Sequence, residues 1–489
     1  MKRVEELSRE ELIAQHYEMQ ATMVRLQEQL LKLGQELAEL KRLVFGSKRE
    51  RFVASKEASQ AQGDKEENKQ ERVKPTKPAN ANHPGRNELP AHLPRVDIIL
   101  EPQEDTTGMR CIGQEITEEL EYEPGKLYVK RYIRPKYAPA GDQGPVLIAG
   151  LPTRPIEKGI AGPGLLAQTL IDKYVDHIPC HRQGSRWERE GVKLPSSTLC
   201  DWVAQSAELL EVLYQALKRE VIASAYIQAD ESPIPVLDNQ VKGKTHRGFY
   251  WVYHGVIPAL ILYEYQAGRG REGPWQMLEN FSGFLQSDGY IVYEGFQSRS
   301  DIVLVGCMAH ARRGFEKALD SDRQPAQYAL ERIQELYAIE RIAREQQLDA
   351  AARQALRAEQ AVPILDAFEK WLEDQQPRAL PKSPLRKAID YYLERRSKLR
   401  IYTQDGRLEI DNNLVENAIR PMALGRKNYL FAGSHEAAQR AAMIYSLLGT
   451  CLKHQVNPFL WLRDVLARLP DHPVQQVSEL LPHRWKPLQ

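Results

Sequence analysis

Cysteine is scarce in this chain: Cys111, Cys180, Cys200, Cys307 and Cys451 are the only five in 489 residues, and no two form a Cys-x-x-Cys pair. An odd, scattered set excludes a disulfide framework and fits a reducing compartment. No N-terminal apolar stretch resembles a signal peptide, and no apolar run is long enough to span a bilayer. The expectation is a soluble, cytoplasmic protein with no membrane partner. An excess of one charge is also missing: 67 Lys and Arg face 66 Asp and Glu, for a net +1. The whole-chain balance therefore announces no polyanionic partner. It does hide basic segments, at Lys41–Arg51 and Arg269–Arg271. Such runs contact phosphate if they cluster in space and are solvated faces if they do not. The length suits two to four domains, and a hydrophobic share of 42% suits real cores.

The N-terminal stretch reads as one long helix over residues 1–52. Ser8 and Glu11 make a capping box, and Leu7 and Leu12 a hydrophobic staple. Leu12, Met19, Leu26, Leu33 and Leu40 recur every seven residues, and Met23, Leu30, Leu37 and Val44 fill the second seam. This pattern predicts a coiled coil, most simply in a homodimer or higher oligomer. An amphipathic helix docked on its own domain is the alternative. Residues 53–95 are rich in Lys, Glu, Gln, Asn and Pro and read as a flexible linker. Residues 96–155 alternate in short stretches, such as Leu127–Ile133, and suggest a small β-rich module.

Residues 156–222 turn helical. Leu165, Leu166, Leu170, Ile171 and Tyr174 form one apolar face. His181–Glu190 is a short second helix stopped by Gly191, and Ser196 and Ser197 offer N-caps for a third helix carrying Leu199, Trp202 and Val203. That outline is helix-turn-helix-like, though packed helix pairs share it. From residue 223 the period changes to two. Ala225–Ala229, Phe249–Tyr253, Leu260–Tyr265, Gly283–Ser287 and Ile302–Gly306 read as strands. Helices resume from Ala309, with an all-helical stretch over about 314–405 that breaks near Pro377–Pro384. Residues 435–489 form a C-terminal helical region, with helices near Ala437–Leu452 and Pro458–Leu469 and a polar tail.

The strands and following helices make an α/β unit over 223–434. Asp230 ends the first strand, on one face with Tyr226 and Gln228, and Asp288 ends the fourth. Aspartate is depleted in strands, so both need a reason. A turn cap is the plain one, above all for Asp288 before Gly289. Glu416 follows Asn413 by three, which allows a capping pair. Asn412, Glu416 and Arg420 are also spaced by four and share a helical face, and Pro421 predicts a stop or kink there.

These residues carry a resemblance. The chain resembles the transposases of insertion-sequence family 66, which are DDE-type enzymes with a ribonuclease-H-like catalytic domain. The motifs run in order along the chain. They include Arg42-Leu-Val-Phe45-Gly-Ser-Lys48, His83-Pro-Gly-Arg86, Arg134-Pro-Lys-Tyr137, and Tyr174-x-x-His177-x-Pro179 through Ser197-Thr198-Leu199-x-x-Trp202. The most specific are Ala229-Asp230-Glu-Ser-Pro, Gln286-Ser-Asp288-Gly289-Tyr290, Cys307-Met-Ala-His310-Ala-Arg312-Arg313, and Asp411-Asn-Asn through Leu424-Gly-Arg426-Lys427-Asn428.

The resemblance implies a five-stranded mixed sheet with helices, with Asp230 and Asp288 on neighbouring strands. It also implies a helical insertion before the helix bearing Glu416. Asp230, Asp288 and Glu416 are then the catalytic residues and metal ligands. Carboxylate oxygens are hard and suit Mg²⁺, or Mn²⁺, in a two-ion site that cleaves DNA and transfers strands. DNA is the implied partner, as terminal inverted repeats and as target, with accessory proteins of the same element beside it. His310, Arg312, Arg313, Arg420, Arg426 and Lys427 are candidate DNA contacts, a satisfied core histidine being the alternative for His310. The family's second module commonly carries paired cysteines. Only Cys111 stands in that stretch here, below the four ligands structural zinc needs, so no zinc is expected. Two other readings compete: an inert dimeric DNA-binding protein derived from a transposase, and a structural coiled-coil protein that leaves the strand-end acids unexplained.

Overall fold

The computed structural model describes residues 152–487, apart from 158 and 238–243, and a few positions between 125 and 148. The predicted coiled coil, the linker and most of the β-rich module lie outside the described residues. Of that module, strands β1 (Lys136–Tyr137) and β2 (Leu147–Ile148) form an antiparallel pair.

Three helices come first among the described residues of the main body: α1 (Pro163–Tyr174), α2 (Cys180–Arg189) and α3 (Ser196–Ile222). Pro195, not either serine, holds the N-cap position of α3, and no side chain caps it. Gly191 takes φ +85 between α2 and α3, a conformation open to glycine at little cost. The sheet follows, with β3 (Tyr226–Leu237), β4 (Thr245–Gly255), β5 (Leu260–Gln266), β6 (Gly283–Gln286) and β7 (Ile302–Val305). Its order is β5-β4-β3-β6-β7; the first three strands are antiparallel and β3, β6 and β7 run parallel. This mixed sheet with flanking helices is compatible with a ribonuclease-H-like α/β domain.

The helices after the sheet are α4 (Met308–Ala318), α5 (Arg323–Glu345), α6 (Ala350–Leu356), α7 (Val362–Gln375), α8 (Pro384–Arg400), α9 (Asn413–Tyr429), α10 (His435–Lys453) and α11 (Pro458–Arg468). A π turn at Arg357–Ala361 joins α6 to α7. Strand alternation divides the interior. Ile227 and Ala229 face a core shared with α1, α3 and α10, and Tyr226 faces a second core built from α4 and the inserted helices. The edge strand β5 is covered rather than bare. Ser446 and Thr450, one turn apart on α10, accept hydrogen bonds from the Tyr263 and Ile261 N–H groups at 2.7 and 3.1 Å. The tail is not simply polar: Leu480 and Leu481 are buried, and Trp461 donates to the Leu480 carbonyl at 2.9 Å.

Two expectations are corrected. The first strand does not end at Asp230 but continues through Pro233 and Pro235 to Leu237, paired with β4 throughout. Its pairing with β6 stops at Gln228, and beyond that point its second side is bridged only at Val236, by Ala432, so proline is tolerated. Of the stop or kink expected at Pro421, the stop does not occur: α9 runs eight residues past it. Anchorage of both helix ends to the sheet outweighs the single backbone bond that proline removes.

Candidate active site

The parallel pairing of β3 and β6 ends at Gln228 and Gln286, which stand directly opposite each other. Asp230 and Asp288 each lie two residues further on, so the two carboxyls leave the same face of the sheet where the strands part. Gly289 takes φ +86 after Asp288, and a Cβ there would meet Arg395 at 2.7 Å. The resulting turn lets Asp288 Oδ1 accept from the Tyr290 N–H at 2.9 Å. Asp230 Oδ1 accepts from the Glu231 N–H at 2.7 Å.

Glu416 enters from the first turn of α9. Its carboxylate faces Arg313 Nη2 at 3.7 Å and His310 Nδ1 at 3.9 Å. An arginine N–H only donates, so the 3.1 Å contact of Arg313 with His310 Nε2 places the ring proton on Nδ1. Nδ1 stands 3.3 Å from Cys307 Sγ, and that thiol donates to Asn412 Oδ1 at 3.0 Å. Burial lowers the His310 pKa and pushes the Cys307 thiol up to about 12, so both are neutral links in this chain.

Asp230 senses the other two acids. Burial first, then the charge of Asp288, with Glu231 and Glu416 adding to it, pushes the Asp230 carboxyl up to about 8. Among the described residues no three His, Cys, Asp or Glu side chains stand gathered as a finished metal site. Each acid is instead turned toward its own donor, as like charges are without a cation between them. The donor set is all-oxygen and carries excess negative charge, which fits a hard divalent ion.

A buried amide pair holds the third acid in place. Gln228 and Gln286 have no exposed surface. Gln228 Oε1 accepts from the Val415 N–H at 3.2 Å, while its Nε2 donates to the Asp411 carbonyl and to Gln286 Oε1 at 2.9 and 2.8 Å. Gln286 Nε2 donates to the Gly306 and Glu409 carbonyls, both at 2.9 Å. The Tyr226 hydroxyl donates to Gln286 Oε1 and accepts from the Glu409 N–H at 3.1 Å. The backbone that leads into Glu416 is thus bonded to the floor beneath the two aspartates. Replacing Gln228 with Leu removes the side-chain donor from the buried Asp411 carbonyl and leaves the Val415 N–H with its Asn412 carbonyl alone. The expected loss is about 1–3 kcal/mol of stability, read as a lower urea midpoint, with no change expected from Asn417→Ala on the exposed face.

Arg269 spans the mouth. Its guanidinium donates to Glu231 Oε1, at 2.9 Å from Nε, and lies 4.0 Å over the Tyr290 ring. It so ties the residue after Asp230 to the residue two after Asp288. The remaining predicted contacts divide. Arg420 and Lys427 are exposed. Arg312 pairs with Glu316 at 2.6 Å, and Arg426 donates to Ser232 Oγ at 3.1 Å and to the Pro233 carbonyl. His310 and Arg313 are directed at Glu416. Sequence reading gave no role to Gln286, Glu231 or Cys307; the repeated Gln-x-Asp at 228–230 and 286–288 was the available signal.

Comparison with known proteins decides the family. Residues 158–440 match the family described as "Transposase IS66 family". The chain belongs to the IS66 transposase family. Residues 446–483 match the IS66 C-terminal element, and 32–98 match a family described as "Transposase C of IS166 homeodomain". Residues 104–138 match the zinc-finger binding domain of IS66 transposases. That match tells against the expectation of no zinc, although the stretch holds Cys111 and neither another cysteine nor a histidine.

Relatives in Sinorhizobium fredii bear out the coverage. Uncharacterized protein y4jD is 30% identical over 96% of this chain and 98% of its own length. Uncharacterized protein y4qI is 35% identical over 84% and 79%, and uncharacterized protein y4hP 33% identical over 82% and 77%. No solved structure matches the chain. Among the described residues no helix is long and apolar enough to cross a membrane.

Proposed function

We propose that this IS66-family chain is a DDE transposase that binds the ends of its own element and cleaves and joins DNA strands. Asp230, Asp288 and Glu416 are its metal ligands. The observation that carries the reading is the convergence of two aspartates at the parting of parallel strands with a glutamate whose helix is bonded to the strands' buried floor. Mg²⁺ or Mn²⁺ held there would activate a water or a 3′-hydroxyl and stabilise the leaving oxygen of an in-line displacement.

The chain's own groups supply the rest. Gln228, Gln286 and Tyr226 fix the approach of α9. His310 and Arg313 steady Glu416, and Arg269 offers its free guanidinium edge to a phosphate at the mouth. Helices α2 and α3 form the helix-turn-helix-like unit, whose exposed His181, Arg182, Arg189 and Lys193 suit a DNA backbone. The N-terminal heptads dimerise the protein, and accessory proteins of the element are candidate partners. The lone Cys111 argues against zinc in residues 104–138.

The competing reading is a DNA-binding protein without catalysis, a role that the helix-turn-helix-like unit alone would serve. The test is cleavage of a labelled duplex carrying the element's end by the full-length protein. Nicking in Mg²⁺ or Mn²⁺ is expected, with a loss of at least about 10³-fold in Glu416→Gln at unchanged DNA affinity. Binding without cleavage in any divalent metal would overturn the catalytic reading and leave the binding one.

A further inference from the structure

Helix α9 ends in an unusual turn. Leu430 takes φ 66 and ψ −44, and the Tyr429 carbonyl accepts from the Phe431 N–H at 2.8 Å. This is a γ-turn of the positive-φ form, rare and strained for a residue with a branched side chain. The strain is held from both sides. The Leu430 N–H donates to the Arg426 carbonyl at 2.9 Å, and Ala432 exchanges backbone bonds with Pro235 and Leu237 of β3, both at 2.9 Å. The result is a clamped turn that pushes two large apolar side chains outward: Leu430 is 64% exposed and Phe431 40%. Neither exposure helps the chain fold.

Beside the turn lies an open cavity of about 440 Å³, lined by Pro233, Pro235, His246, Arg247, Arg426 and Leu430 among others. Its lining surface is mostly apolar, from Pro233, Pro235 and Leu430, and includes two arginines, Arg247 and Arg426. That combination fits a flat, apolar-faced group joined to a phosphate. The exposed face of α9 points the same way. Asn413, Asn417, Arg420, Leu424 and Lys427 follow one another at spacings of four and three, forming one stripe from the first turn of α9 to Leu430. At 1.5 Å per residue, Glu416 and Leu430 are about 21 Å apart along the helix, or about six base pairs of duplex.

We propose that Leu430 and Phe431 form a wedge that enters the DNA duplex about six base pairs from the point of cleavage, and that the adjoining cavity receives the displaced nucleobase. A clamped, strained apolar tip resists being pushed aside by the stack. The cavity offers the unstacked base an apolar wall, and Arg247 and Arg426 offer its phosphate positive charge. The inference rests on the reading of the chain as a DNA-binding transposase.

The test uses the full-length protein and a duplex of its element's end, with 2-aminopurine placed singly at about three to nine base pairs from the cleavage point. Fluorescence should rise several-fold at one or two adjacent positions, because unstacking relieves quenching. The rise should vanish in a Leu430→Ala, Phe431→Ala double variant that still binds the duplex within about tenfold of wild type. Leu430→Gly separates this role from a structural one: it relieves the positive φ, so its melting temperature should equal or exceed wild type while the fluorescence rise is lost. Flat fluorescence at every position in a bound duplex overturns the wedge and leaves the transposase reading standing. The same follows if both variants keep the full rise. Failure to bind the duplex at all overturns both.

Discussion

In metal-free buffer at pH 7.5, Asp230→Asn should melt at a higher temperature than wild type while losing at least about 10³-fold in Mg²⁺-dependent strand cleavage. The two effects have one source. Burial and the charges of Asp288, Glu231 and Glu416 push the Asp230 carboxyl up to about 8. In the unfolded chain the same group ionises near its ordinary value of 3.8. A carboxyl raised on folding contributes stability that is whole below about pH 4 and is lost as the pH climbs toward 8. Asparagine carries no such charge. Its advantage should therefore be absent below pH 4 and grow between 4 and 8, by at most on the order of 1.4 kcal/mol for each pH step of one across that window. Saturating Mg²⁺ should narrow the gap by stabilising only the wild type. Calorimetric scans at several pH values, with and without metal, check this. An Asp230→Asn protein that is less stable than wild type at pH 7.5 would make its inactivity a folding defect.

Arg357→Met should be the most destabilising single change in the inserted helices, by about 3–5 kcal/mol. Arg357 sits fully buried at the start of the π turn. It donates to both oxygens of buried Glu340, at 2.7 and 2.8 Å, and to the carbonyls of Tyr402, Asp405 and Leu408 at 2.6, 3.0 and 2.8 Å. Methionine fills much of the volume but takes the arginine donors from the Tyr402 and Leu408 carbonyls, leaves the Asp405 carbonyl with the Leu408 N–H, and leaves Glu340 with Arg353 alone. Burial pushes the Glu340 carboxyl up, but the hydrogen bonds and charges of Arg357 and Arg353 outweigh it and hold the pKa below 4.5. A carboxyl lowered on folding contributes stability that is present above its unfolded value and lost on acidification. The deficit of the methionine variant should thus shrink below about pH 4. Residues 401–411 lead directly into α9, so hydrogen exchange there should accelerate and cleavage should fall with it. A deficit under about 1 kcal/mol, with exchange unchanged, would show that the insertion does not support the active-site helix.

The strand pattern was legible because period-two alternation is a local signal, while the acids at 230, 288 and 416 each had a turn or capping reading and were joined into one candidate site only with the resemblance. The length of β3 was not. Two prolines look like a strand end from within, and only the pairing with β4 on one side shows why they are tolerated. Pro421 misled in the same way, since tertiary anchorage of α9 outweighs a local breaker. Gln228 and Gln286 were invisible as a clamp because the backbone groups they hold at Glu409, Asp411 and Val415 lie more than a hundred residues away. Arg426 read as a phosphate contact from its charge, yet part of its guanidinium serves Ser232 and Pro233. The turn at Leu430 had no glycine to announce it.

The most direct measurement is the anomalous scattering of Mn²⁺ in crystals of the full-length protein bound to a duplex of its element's end. One or two peaks should lie within about 2.0–2.3 Å of carboxylate oxygens of Asp230 and Asp288, with Glu416 completing one of them. Mn²⁺ held elsewhere, or a duplex-bound site in which Glu416 stays on Arg313 and His310 and away from the metal, would contradict the assignment of the three carboxylates.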